Sequence, residues 1–479
     1  MVVFQASKLN LPQSPSLSSP EVSSLLFDPH SLSLALMHYD SSFSLYPSLS
    51  PLSLSSLPPP QTLVTPPSSS AAFLRLQSTN PSMSPRSLFV VAAPLHGGHA
   101  VLLRFYILDK NFQSFAKARV ICNQNGLKFD EGKSGVVFSV SHGASIKLVG
   151  SINVLAMYSV SNSKIWVFAA KMVNNDDGAT VKLMKCAVID CCAPVSAINI
   201  SFGFLILGEG NGVRVFYLRP LVKGRARRNR KESKILHNGP PNGVIQTING
   251  TDIPYTDSLG QLNSGANCRG DKVTGGDGSL EISSNGYLEG RFDKHWDSGN
   301  YVKLRAVKLR QDSKDGASCF VALTSQEVKS HNSAKVSLQS VKAISIQAMS
   351  SDKFLILDSK GDVHLCNLSN PLIASEIHCY VKQLINIMKV QKLAVLPDIS
   401  TRTPIVWISD GCHTVQILAI PDADTSVCES DRNDCEEKLN QISVTQAIFT
   451  SEKIQDIIPL ATNAILILGQ GGLFAYAIS

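Results

Sequence analysis

Seven times along the chain an apolar run of strand length gives way to a short polar turn, then to a second run in which apolar and polar residues alternate. The copies are residues 34–46, 88–108, 154–168, 204–218, 354–368, 405–420 and 465–478. Alternation with period two, β-branched and aromatic residues in the runs, and Gly, Asp, Asn or Ser between them predict a β-hairpin at each copy. In three copies the first run is apolar at both parities. Phe204, Ile206, Phe354, Ile356, Ile465 and Ile467 fall on one face of their strands, and Leu205, Leu355 and Leu466 on the other. Strands apolar on both faces are expected to lie between two packed layers.

Repetition at this scale predicts a repeat architecture, in which blades of roughly 40–50 residues stack around an axis. Five of the six steps between hairpins fit one blade length, and the long step runs from 204–218 to 354–368. Further runs supply inner strands: 341–349, 385–395 and 454–460 precede hairpins five, six and seven, and 71–76 follows hairpin one. Strand, hairpin and strand make a four-stranded antiparallel blade. The expected fold is all-β, a seven-bladed β-propeller of four-stranded antiparallel sheets. The last blade lacks an outer strand, and residues 2–6 can supply it, which removes two exposed sheet edges at once.

The domain reading follows. Residues 1–218 form blades one to four, with a flexible Ser/Pro-rich loop near 48–70. Residues 219–300, rich in Gly, Asn, Ser, Asp and Lys/Arg, form a disordered insertion in blade four. Residues 301–479 complete blade four and form blades five to seven, with the alternating run 301–310 expected as the outer strand of blade four.

Spacing and hairpin pattern resemble the WD40-like β-propeller superfamily over most of the chain outside 219–300. The signature residues are missing. Ile165-Trp166-Val167 is the nearest approach to the Trp-Asp dipeptide, and the literal Trp296-Asp297 lies in the insertion; no Gly-His dipeptide opens a blade. The resemblance implies a degenerate propeller that serves as an interaction scaffold.

Composition narrows the function classes. No apolar run reaches the roughly 18–20 residues that span a bilayer, and no basic, apolar and small-residue succession marks a secretory signal. A membrane partner is therefore not expected. Residues 1–74 contain one cation, Lys8, against Glu21, Asp28 and Asp40, which argues against organelle import. The eleven cysteines are scattered. Cys191-Cys192 and the Cys428/Cys435 pair match neither zinc spacing nor a disulfide framework, so reduced thiols of the cytosol or nucleus are expected.

The net charge of +7 is concentrated in one place. The stretch KGRARRNRKESK carries Lys223, Arg225, Arg227, Arg228, Arg230, Lys231 and Lys234 against a single Glu. Such a run reads as a nuclear localisation signal held extended by an importin-type receptor, or as a patch that contacts RNA phosphates; it also reads as a solvated linker. No aromatic residue interrupts it to stack on bases, which favours the protein receptor.

Other candidates reduce to turns. The glycines of Gly208-Glu-Gly-Asn-Gly212 follow a strand as in a dinucleotide loop, but another strand follows where a phosphate-binding helix is required. His96-Gly-Gly-His99 lies at a hairpin tip with no third metal ligand nearby in sequence. Gly-x-Ser-x-Gly, HExxH and the P-loop are absent. No catalytic, cofactor-binding or metal-binding residue is assigned, and no cofactor or small-molecule substrate is expected. The expected function is a non-enzymatic scaffold for the proteins of a nuclear complex. The alternatives are an RNA-binding factor in ribosome assembly or RNA processing that uses the basic insertion, and a cytoplasmic location.

Overall fold

The computed structural model describes residues 4–10, 21–49, 57, 60–78, 84–109, 113–140, 143–175, 178–223, 305–308, 318–323, 341–369, 377–384, 388–396, 404–420 and 443–478. All seven expected hairpins are present, each forming the second and third strands of its own antiparallel sheet. The inner strands are Val22–Asp28, Ser70–Leu76, Ile146–Gly150, Ala197–Ser201, Ala343–Ala348, Lys392–Leu396 and Ile454–Ala461. Each lies against the next, and the last lies against the first. The sheets therefore close a ring, and the chain is a seven-bladed β-propeller. Helix among the described residues is limited to Leu218–Lys223 and the single 3-10 turn His96–Gly98, and no helix there is long and apolar enough to cross a membrane.

The core is divided into seven parts, one at each seam between neighbouring blades. Strands apolar on both faces are what this arrangement demands, because each sheet has a neighbour on either side. The tetrapeptide Phe-Leu-Ile-Leu occurs in blades four and five and shows how permissive the demand is. In blade five, Phe354 and Ile356 face blade four, while Leu355 and Leu357 face blade six. In blade four, Phe204 and Ile206 face forward to blade five, and Leu205 and Leu207 face back to blade three. The two copies are one residue out of step relative to their turns, and a one-residue step exchanges the faces of a strand. The exchange brings Phe204 edge-on to Phe354, with ring centroids 6.0 Å apart.

Closure joins the two ends of the chain. Phe4–Leu9 is the outer strand of blade seven, antiparallel to Gly472–Ile478, with Phe4 opposite Ile478 and Leu9 opposite Leu473. The expected segment was 2–6: its residues 2 and 3 lie outside the described residues, Phe4, Gln5 and Ala6 are in the strand, and the strand runs on to Leu9, which enters the seam with blade one and is 2% exposed. Polar latches add to the seams. The Asn153 side chain bonds both backbone groups of Gln77 at 2.9 Å. Ser87 donates to Asp28 between blades one and two, and Ser196 donates to the carbonyl of Ala343 between blades four and five at 2.6 Å.

Five sheets have four strands, and those of blades two and three extend the four-stranded plan to six. The third strand of blade two, Ala100–Asp109, is ten residues long and carries two outer partners, Gly135–Ser139 on its first half and Ser114–Lys117 on its second. Other sequence expectations are corrected. The run 301–310 does not form the outer strand of blade four. Arg305–Lys308 pairs in parallel with Ala187–Asp190 of blade three, and Ser318–Ala322 takes the edge of blade four. The inner strand of blade six is Lys392–Leu396, shorter than the expected 385–395. Within the loop expected near 48–70, Leu49 and Leu57 are buried against the seam of blades one and seven, and Thr62–Val64 is the outer strand of blade one. Of the insertion expected at 219–300, all but 219–223 lies outside the described residues.

Two outcomes test this architecture. Deleting residues 1–9 exposes the edge of Gly472–Ile478, so the melting temperature should fall and aggregation should rise; an unchanged melting curve would show that the strand contributes nothing to closure. Ile356 is fully buried between blades four and five. Ile356→Ala should cost roughly 2–5 kcal/mol in urea unfolding, against less than about 0.5 kcal/mol for a surface strand.

Candidate docking face

In every blade the turn between the second and third strands projects from the same side of the ring, together with the starts of the inner strands and the ends of the outer ones. Among the described residues, the hairpin turns of this face are short and well anchored. In blade one, His38 Nε2 and Ser44 Oγ meet across the turn at 2.7 Å, and Asp40 accepts from the backbone and hydroxyl of Ser42. In blade four, Arg214 and Glu209 form a buried two-point ion pair at 2.8 and 3.2 Å. In blade five, His364 and Asp358 meet at 2.9 Å, both 2% exposed. Burial pushes the Asp358 carboxyl up. Hydrogen bonds from His364 and from the backbone N–H groups of Asp362 and Lys360 outweigh it and hold the carboxyl below its ordinary value. In blade six, Asp410 accepts from the N–H groups of Cys412 and Thr414, and in blade seven Glu452 accepts from Gly471 at 2.6 Å.

The clamped turns hold the described part of this face in shape, and that part carries apolar side chains. Seven large apolar residues are exposed among those described: Tyr39, Leu63, Val160, Phe320, Ile344, Tyr380 and Phe449. Tyr39 and Val160 sit on the turns of blades one and three. Ile344 is the second residue of the inner strand of blade five, and Phe449 ends the outer strand of blade six. Phe320, on the outer strand of blade four, pairs opposite Arg214 near the turn, and the guanidinium lies 5.1 Å from its ring centre. Tyr39, Val160, Ile344 and Phe449, four of the seven, thus belong to the turn face; Phe320 and Leu63 lie on outer strands close to their turn ends, and Tyr380 lies toward the opposite face. Beside the turn of blade two, an open cleft of about 550 Å³ is lined by His96, Lys128, Phe129, Asp130, Glu131 and Lys133. Its carboxylates are engaged: Lys133 bonds Asp130 at 3.0 Å and holds its carboxyl below the ordinary value, and Arg119 lies 3.7 Å from Glu131.

The sequence candidates fall elsewhere or become turns. Lys223 ends the helix Leu218–Lys223, whose Leu218, Leu221 and Val222 are buried in the seam of blades three and four. The helix begins at the opposite face, where the Leu218 N–H bonds Gly203 O at 2.8 Å. Arg225, Arg227, Arg228, Arg230, Lys231 and Lys234 lie outside the described residues, as do Cys428 and Cys435. Gly208–Gly212 is a two-residue hairpin with Glu209 opposite Gly212. Gly208 is there for space: a Cβ would lie 2.7 Å from the carbonyl oxygen of Ala343 in the next blade. His96 and His99 close a turn, with His96 and Gly97 at positive φ. No group of three or more His, Cys, Asp or Glu among the described residues is placed to hold a metal ion. Sequence reading missed the Glu209–Arg214 pair, although a carboxylate before a two-residue turn and an arginine just after it is a legible signal.

Fold and face together define a seven-bladed β-propeller whose described turn face carries exposed apolar side chains. No protein-family model matches the chain, and no curated protein matches its sequence. Among solved structures, it is similar to the β-propeller domain of Myceliophteria thermophila Cps50 (Swd1), with 7% identity, full coverage of both chains and a TM-score of 0.46. It is similar also to the WD40 repeats of RRP9, with 9% identity, full coverage of both chains and a TM-score of 0.43. U3-55K gives 8% identity and a TM-score of 0.43 over 99% of this chain and 98% of that one. At such distances the fold assignment rests on the seven sheets of the chain itself.

The buried pair in blade five makes a pH prediction. A carboxyl whose folded value is depressed contributes stability that is present above the unfolded value and lost as pH falls through the folded one. Asp358→Asn should therefore be less stable than the parent at pH 7, and the gap should shrink below about pH 4, the unfolded carboxylate value. Urea unfolding of both proteins across that range checks it; a gap independent of pH would show that the carboxylate charge contributes nothing.

Proposed function

We propose that the protein is a non-enzymatic scaffold that docks partner proteins of a nuclear complex on the turn face of its ring. The observation that carries this reading is the distribution of exposed large apolar side chains among the described residues: four of seven belong to the face whose turns are pinned by hydrogen bonds and ion pairs, and Phe320 and Leu63 lie on outer strands close to it. Apolar side chains on a rigid face bury area in a complex with little ordering cost, which is how affinity is gained by preorganisation. The basic stretch from Lys223 to Lys234 is assigned to nuclear import through an importin-type receptor.

Tyr39→Ser, Ile344→Ser and Phe449→Ser combined should leave the melting curve nearly unchanged, since each residue is exposed. The triple variant should lose the proteins that co-purify with the parent chain, whereas Tyr380→Ser on the other face should keep them. Equal retention by both variants would overturn the docking reading. Replacing Arg225, Arg227, Arg228, Arg230 and Lys231 by Ala should move a fluorescent fusion out of the nucleus. If the fusion stays nuclear while salt-sensitive RNA retention is lost, the RNA-binding reading in ribosome assembly or RNA processing replaces import.

A further inference from the structure

We propose that Cys366 and Cys379 form a reversible disulfide by exchange with a small-molecule disulfide of the glutathione class, and that this bond staples the outer strand of blade five to its neighbour. Cys366 belongs to the third strand, Val363–Leu368, and Cys379 opens the outer strand, Cys379–Leu384. Cys366 lies opposite Val381, and Cys379 lies opposite Leu368, so the two thiols share a face of the sheet one diagonal step apart. Their Sγ atoms are 3.1 Å apart, about 1 Å more than the length of a disulfide bond. The hairpin is locked just beyond them: the Ser369 N–H bonds His378 O, and the His378 N–H bonds Ser369 Oγ, both at 2.9 Å. The thiols are therefore held together rather than brought together by chance.

Their surroundings set the order of events. Cys366 is fully buried in the seam with blade four, among Phe204, Val215 and Leu368, and no small molecule reaches it. Cys379 is only partly covered at the edge of the same seam. Cys379 loses its proton and attacks one sulfur of oxidised glutathione. That S–S bond breaks, a mixed disulfide forms on Cys379, and the departing glutathione thiolate takes up a proton. Cys366 then gives up its proton and attacks Cys379 Sγ, which releases the second glutathione as a thiol. Two protein thiols are oxidised and one glutathione disulfide is reduced to two thiols, so atoms and electrons balance. The hydrogen bond with Cys366, followed by burial, pushes the Cys379 thiol far above its ordinary value. The thiolate is scarce at neutral pH, so the exchange is slow there and accelerates as pH rises.

The consequence lies at the seam of blades four and five, where Tyr217 of blade four also meets Ser369 at 3.4 Å. A covalent link between the third and outer strands of blade five restricts the unfolded chain and resists peeling of the outer strand. Cys319 on the outer strand of blade four is the competing thiol, close enough to Cys379 for the two to interact electrostatically. It occupies a different sheet, and no Sγ contact joins it to Cys379 comparable to that of Cys366.

The test uses the full chain in glutathione redox buffers of increasing oxidising strength, quenched with acid, alkylated, digested and read by mass spectrometry. The expected product is one peptide pair linked through Cys366 and Cys379, two hydrogens lighter than the reduced pair. It should form faster at higher pH, reverse with dithiothreitol, and raise the melting temperature by several degrees. Cys366→Ala should stop at the glutathione adduct on Cys379, and Cys379→Ser should give no product at Cys366. In the parent chain alone, three results would overturn the proposal: an adduct on Cys379 that accumulates without the link, a link from Cys379 to Cys319, or modification of the exposed Cys192 and Cys412 while both proposed partners stay reduced.

Discussion

The packing of each sheet against two neighbours is the constraint on which the rest of this structure depends. A propeller blade has no solvent face, so its middle strands must be apolar at every position along most of their length. Leu205 and Leu207 on one side and Phe204 and Ile206 on the other meet that demand in blade four, and blades five and seven meet it in the same way. Burial on both sides is the dominant favourable term, at roughly 25 cal/mol per Å² of apolar surface. The ring is the only arrangement of such sheets that leaves no blade with an uncovered face. It requires the final edge to be filled, and Phe4–Leu9 fills it.

The polar groups are subordinate to this packing. Asp358 with His364, Glu209 with Arg214 and His38 with Ser44 tie the strands together across their turns. They hold the described hairpin turns in place. A buried ion pair is weak evidence for stability, but removing one partner leaves the other charge buried and uncompensated. The turns are thus sensitive to single substitutions even though the seams supply most of the folding energy.

The hairpins were legible in the sequence because period-two runs around Gly, Asp and Ser turns are a local signal. Ring membership of the Ser/Pro-rich start was legible too, since residues 34–46 carry the same pattern. Apart from the pairing of the N-terminal strand with blade seven, features decided by choice of partner escaped. Arg305–Lys308 alternates as a strand should, but alternation does not say which sheet edge it joins, and it pairs with blade three. The two Phe-Leu-Ile-Leu copies look equivalent, yet a one-residue shift turns the first toward blade five and the second toward blade four; sequence cannot register the shift when both faces are apolar. The Cys366–Cys379 contact depends on the register of an outer strand. The turn-face residues are single apolar positions with no motif, which is why Tyr39 and Phe449 drew no attention.

The central claim is a ring closed by pairing of Phe4–Leu9 with Gly472–Ile478, and amide hydrogen exchange of the intact chain tests it most directly. The account predicts that the amides bonded across this ladder exchange as slowly as those joining Ala464–Gly469 to Gly472–Ile478 within the same blade. Fast exchange along Phe4–Leu9, with the inner strands of blade seven still protected, would mean that the ring stands open at its last edge and would contradict the account.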